Sequence, residues 1–216
     1  MHSARNAETA ELLSRELVAE LIALARSGGA DFAEVYGEHT VQSGFTLEED
    51  RLKTSQYAVL QGVGVRAVRG EGTGYAYADG FAPADLREAA RVASRIAREG
   101  ASAASGPEGS PRAFRVVDAP APFALSHPAP LALDEGGKVA LCRRANHAAR
   151  AHDPRIREVT VSHADSAKRF VVANSDGLWA VDRQYLTRLT VVSLALDGDG
   201  RQQGFAAGGG CVEADY

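Results

Sequence analysis

A chain of 216 residues, 45% hydrophobic and 24% charged, is long enough to enclose one large or two small cores and has an ordinary globular composition. A net charge of −4 and a pI near 5.9, with no basic tail or face, exclude an electrostatic grip on nucleic acid. No run approaches the roughly 20 apolar residues of a membrane span, Met1 to Glu8 lack the apolar core of a secretion signal, and Cys142 and Cys211 are too few for a disulfide framework, so a cytoplasmic protein is expected.

A first helix is predicted from Thr9 to Arg26, with Leu13, Leu17, Leu21 and Leu24 as its apolar stripe and Gly28-Gly29 ending it. Strands follow over Phe32 to His39 and Ser43 to Glu49. Gln61 to Asp79 then reads as a hairpin around Gly70-Glu71-Gly72: Val63, Val65 and Ala67 alternate with Gly62, Gly64 and Arg66, and Tyr75 and Tyr77 with Ala76 and Ala78. Glycines at 62 and 64 leave one face without side chains, so a backbone or ligand can approach it closely. A nucleotide loop is excluded, because the third glycine of Gly-x-Gly-x-x-Gly is replaced by Ala67 inside a strand.

A second helix opens with Pro83 and buries Leu86, Ala90, Ala93 and Ile96-Ala97 before Gly100. Residues Ala101 to Pro130 carry prolines at 107, 111, 120, 122 and 128 and read as a linker with one extended piece, Phe114 to Val117. A third helix spans Leu133 to His152. The remainder is strand-rich: Ile156 to His163, Arg169 to Ala173, a turn at Ser175-Asp176-Gly177, Leu178 to Asp182, Leu186 to Leu196, a turn at Asp197 to Gly200, and Gln202 to Ala207. The two halves repeat one order of elements, aligning Val35 with Val159, Tyr57 with Tyr185 and Gly74 with Gly204. The fold class is α+β, mixed or antiparallel sheets with helices on one face, built from two similar helix-plus-strands units.

Chemistry is sparse. Among His2, His39, His127, His147, His152 and His163, only His147 and His152 share a helix, and a spacing of five residues turns them apart on a 3.6-residue helix. Asp197-x-Asp199 lacks the remaining ligands of a calcium loop, since Arg201 and Gly208 stand where carboxylates belong. Cys142 reads as a buried structural thiol. Glu48-Glu49-Asp50 falls at a strand end, where neighbours point to opposite faces, which argues against a shared acid–base site. Binding remains: Gly62, Gly64, Tyr75 and Tyr77 are the peptide-contact candidates, with Trp179 and Phe205 as further flat surfaces, weighed against ordinary sheet or core roles.

The stretch Leu47 to Lys53, the run Gly62 to Arg66 with Thr73 to Asp79, and Arg157-Glu158-Val159 through Gly208-Gly209-Gly210 together resemble the TldD/PmbA family, metallopeptidases once described as modulators of DNA gyrase. The likeness is nearer the TldD subunit and covers most of the chain except Ala101 to Pro130. It implies proteolysis of unfolded or extended peptides in an enclosed space, by a zinc-bearing subunit paired with a PmbA-like (TldE-like) one or with itself. The family's zinc motif, a His-Glu helix with a second His, matches no position here, so no catalytic or metal-binding residue is assigned and the chain alone is expected to be inactive. The resemblance divides the chain into a first domain over residues 1–100, a linker over 101–130 and the start of the middle domain over 131–216. The competing reading is a stand-alone, non-catalytic peptide- or partner-binding module.

Overall fold

The computed structural model describes residues 12–101, 115–116 and 134–211. Their elements are α1 (Arg15–Arg26), β1 (Phe32–Glu48), β2 (Arg51–Arg69), β3 (Gly72–Asp79), α2 (Pro83–Gly100), β4 (Arg115–Val116), α3 (Glu135–His152), β5 (Ile156–Asn174), β6 (Leu178–Asp197) and β7 (Gly200–Gly210). The strands hydrogen-bond in the order β3-β2-β1-β5-β6-β4, and β7 also pairs with β6. The β2–β3 and β6–β7 pairs are antiparallel and β4 runs parallel to β6, a mixed sheet within an α+β fold. The order helix, long strand, long strand, returning strand occurs twice, as α1-β1-β2-β3 and as α3-β5-β6-β7, the repetition expected from the sequence.

The chain folds into two compact units. The first takes the described parts of Met1–His39, Leu60–Pro122 and Arg169–Arg183; the second those of Thr40–Val59, Phe123–Lys168 and Gln184–Tyr216. Strands β1, β2, β5 and β6 give residues to both, which is why each runs 17 to 20 residues. The sequence patterns break each of β1, β5 and β6 into two pieces near Thr40, Asp165 and Gln184. The backbone continues through all three breaks.

In the first unit, α1 and α2 lie together and bury Val18, Leu21, Ile22 and Ala25 with Leu86, Ala89, Ala90, Ala93 and Ala97. They meet the inward strand positions Ala33, Val35, Val63, Val65, Ala67, Val171 and Ala173. Ser14 caps α1 by accepting a hydrogen bond from the Leu17 amide at 3.2 Å, and this sets the helix start at Arg15. Thr9 lies outside the described residues. The cap also sets the stripe, leaving Leu17 and Leu24 only partly buried. On α2, Ile96 faces outward. Strand β3 approaches α2 so closely that a Cβ on Gly74 would collide with the Ala93 carbonyl, and one on Gly72 would stand 2.6 Å from the Ala97 carbonyl. Only glycine permits that spacing.

The second unit has a smaller apolar core of Leu47, Cys142, Val159 and Val161, with Ala145, Ala149, Ile156, Leu189 and Val191 packed against it. Asp134 caps α3 through the Gly137 amide at 2.7 Å. The β2–β3 and β6–β7 hairpins both turn on two residues with glycine first, Gly70 and Gly198, each at positive φ.

Candidate functional site

The second unit holds a buried polar cluster. Along β5 the inward positions are Val159, Val161, His163 and Asp165, so the apolar alternation continues into two polar residues. Asp165 and His163 side chains are each 1% exposed and Lys138, from α3, is 8%. Lys138 Nζ stands 2.8 Å from Asp165 Oδ2, a charge contact rather than an aligned hydrogen bond, and donates to Ser43 Oγ at 3.0 Å. Ser43 in turn donates to Asp165 Oδ1 at 2.6 Å. His163 places Nε2 3.2 Å from Thr187 Oγ1 and Nδ1 3.6 Å from Asp165 Oδ2, and Nδ1 has no hydrogen-bond partner. Burial holds the His163 pKa below its ordinary value; Asp165 pulls it up and Lys138 pushes it further down.

A cavity of about 710 Å³ in the same unit is lined by Ser43, Asp165 and Thr187 together with Arg188, Leu186 and Gly208 to Gly210. Its lining is mixed: Leu186 and three alanines stand beside hydroxyls, the Gln42 and Gln56 side chains and main chain, next to a buried ion pair. Pattern reading of the sequence passes over His163 and Asp165 because they interrupt an apolar run; their fixed parity with Val159 and Val161 is the available signal.

The hairpin between β1 and β2 turns on Glu49 and Asp50, the only non-glycine residues at positive φ among those described (53° and 62°). This corrects the strand-end reading, because both carboxylates reach α3 or its neighbour. Glu49 accepts from Arg150 and from the Val159 amide (3.2 Å), while Asp50 lies 3.6 Å from His147 and 4.0 Å from Arg143. The two acids are paired with cations and clamp the turn. His152 is exposed at the end of α3.

In the first unit, the peptide-contact candidates occupy the face turned from α1 and α2. Gly64 pairs with Tyr77 and Gly62 with Asp79. The glycine face is not bare as expected: Tyr75 lies across Gly64, its hydroxyl 2.5 Å from where a Cβ would stand. Tyr75 and Tyr77 remain 59% and 69% exposed, so they offer contact area over the glycines. Arg66 completes this face, bonded to Glu34 at 2.7 Å and over the Phe32 ring at 5.7 Å. Phe205 is exposed on β7, whereas Trp179 is buried in the core and offers no contact surface. Cys142 is buried and its thiol pKa is raised by burial, in keeping with a structural role.

No three His, Cys, Asp or Glu side chains converge to hold a metal ion among the described residues. The buried set offers one carboxylate already joined to Lys138, and the acids of the β1–β2 turn are joined to arginines. These residues do not fit a zinc centre.

An α+β chain in which the order helix, long strand, long strand, returning strand occurs twice defines the class. Residues 33–97 match the family model for PmbA/TldA metallopeptidase domain 1, and residues 128–214 match that for the PmbA/TldA metallopeptidase central domain. The chain belongs to the PmbA/TldD metallopeptidase family. It is 30% identical over 204 residues to the Metalloprotease TldD homolog of Haemophilus influenzae, covering 94% of this chain and 41% of that protein. The Buchnera aphidicola (subsp. Acyrthosiphon pisum) homolog of the same name is 27% identical over 86% of this chain and 37% of its own length. The chain thus spans about two fifths of the curated relatives it matches. Among solved structures, TldE from Thermococcus kodakarensis shares the fold at a TM-score of 0.67 and 15% identity, over 89% of this chain and 42% of that one. A candidate modulator of DNA gyrase from Bacteroides thetaiotaomicron does so at 0.69 and 15%, over 93% and 45%. No helix among the described residues is long and apolar enough to cross a membrane.

Proposed function

We propose that this chain is the substrate-chamber and subunit-pairing part of a cytoplasmic TldD-type zinc metallopeptidase that acts on unfolded or extended peptides. The observation that carries this reading is the match, in series, of both family domains beside relatives named as TldD metalloproteases. In this reading residues 1–100 are the first domain, 101–130 its linker, and 131–216 the start of the central domain. Zinc belongs to positions that match no residue of this chain. The partner is a PmbA/TldE-like subunit or a second copy.

Geometry supports peptide binding through the main chain. Strand β7 pairs only with β6 among the described residues, and Gly200 to Gly209 are exposed throughout. On β2, Arg51 to Gln61 are likewise exposed, beyond the last register position with β3 at Gly62. Edges of this kind can donate and accept hydrogen bonds along an added extended chain without reading its sequence. Gly62, Gly64, Tyr75 and Tyr77 are proposed as a further contact surface in the first unit.

The test is a titration of the 216-residue chain with a fluorescently labelled, reduced and alkylated polypeptide, followed by anisotropy, beside co-purification with a PmbA/TldE-like subunit. Saturable binding that an unlabelled unfolded chain displaces, and that a folded protein does not, is expected. Failure of both peptide binding and subunit pairing rejects the reading.

A further inference from the structure

His163 lies against Thr187 and Asp165, two residues that line the cavity in the second unit. A bare Nδ1 lone pair facing Asp165 Oδ2 at 3.6 Å is repulsive, so the neutral ring carries its proton on Nδ1. Nε2 then accepts from the Thr187 hydroxyl at 3.2 Å. A second proton must go on Nε2. That makes Nε2 a donor, and the Thr187 hydroxyl must turn over to accept. It also places a second positive charge beside Lys138, inside a cluster with one carboxylate.

The groups around the ring come from four elements: Asp165 on its own strand β5, Lys138 on α3, Ser43 on β1 and Thr187 on β6. Asp165 is already engaged by Lys138 and Ser43. The added charge thus shares one carboxylate with Lys138. Thr187 is the cluster member on β6, opposite Gly210 of β7, and both residues line the cavity.

We propose that the Lys138–Asp165–His163 cluster is an acid-sensitive latch: protonation of His163 turns over Thr187 and loosens the β6–β7 wall of the cavity. The depressed His163 pKa gives the sign. The open form binds the proton more readily than the closed one, so the closed wall is favoured above pH ~6.5 and progressively lost as pH falls toward the lower His163 midpoint.

The experiment is a pH titration of the 216-residue chain by NMR from pH 8 to 5, with hydrogen exchange read at Thr187, Arg188 and Gly208 to Gly210. The His163 ring is expected to titrate with a midpoint below ~6.5. The amide shifts of Thr187 and Gly210 should follow the same curve. After correction for intrinsic rates, exchange at these amides should rise about tenfold for each pH unit between the ordinary midpoint and that of His163. His163→Gln should abolish the step. If that variant does not fold, Thr187→Val keeps the ring and should leave its titration in place while uncoupling Gly210 from it. A His163 midpoint at or above the ordinary value, exchange at Gly208 to Gly210 that is flat through the window, or Gly210 still following His163 in Thr187→Val overturns the proposal.

Discussion

Lys138 Nζ and Asp165 Oδ2 lie 2.8 Å apart with both side chains almost wholly buried, so α3 is tied to β5 by charge as well as by the apolar contacts of Cys142. Burying two charges is costly, and attraction plus the Ser43 bridge offsets that cost only while both partners are present. Lys138→Met is therefore expected to destabilise the second unit by about 3–5 kcal/mol, because it leaves the Asp165 carboxylate buried without its cation. Lys138→Met combined with Asp165→Leu should recover most of the loss. Urea unfolding of the single and double variants checks this, and equal losses in the two would deny that the charge is what matters.

The Glu49-Asp50 turn stores backbone strain. Each residue sits at positive φ, where a side chain costs roughly 1–2 kcal/mol relative to glycine. The Asp50 carboxylate makes only exposed contacts, 3.6 Å to His147 and 4.0 Å to Arg143, and such pairs contribute little. Asp50→Gly should thus raise stability by up to about 1 kcal/mol. Thermal unfolding that shows a lower midpoint for Asp50→Gly would mean that the acid does more than clamp the turn.

Two glycines of one hairpin should respond differently to the same substitution. At Gly74 the added methyl meets the Ala93 carbonyl of α2, which cannot yield without moving a helix. Gly74→Ala is expected to cost at least the ~1–3 kcal/mol of overpacking. At Gly64 the obstacle is the Tyr75 ring, a mobile side chain 59% exposed. Gly64→Ala should cost less than about 1 kcal/mol while displacing Tyr75. Paired denaturation curves decide it, and similar losses at both sites would refute the distinction.

The legible parts of the sequence are those where local pattern and tertiary packing agree. Val63, Val65 and Ala67 alternate because one side of β2 meets α1 and α2, and Gly70 and Gly198 mark turns that need positive φ. The helix-and-hairpin repeat is visible for the same reason. Strand continuity is not. At Asp165 the inward position is polar and paired by charge with Lys138, a residue 27 positions earlier on a helix, so the apolar period stops while the strand does not. The buried cluster is hidden for that reason. Tyr75 shows the opposite error: glycine at 64 suggests open space, yet the space is taken by a ring from the neighbouring strand. Glu49 and Asp50 mislead because the turn they form at positive φ carries no glycine to mark it.

On the proposed function, this chain binds extended polypeptide without cleaving it. One sample tests both halves: the 216-residue chain with a doubly labelled unfolded polypeptide and added zinc, with and without a chelator, read for anisotropy and for loss of energy transfer. A saturable rise in anisotropy with no chelator-sensitive cleavage is the predicted result. Chelator-sensitive cleavage, or no binding at concentrations where the chain is folded, would contradict the account.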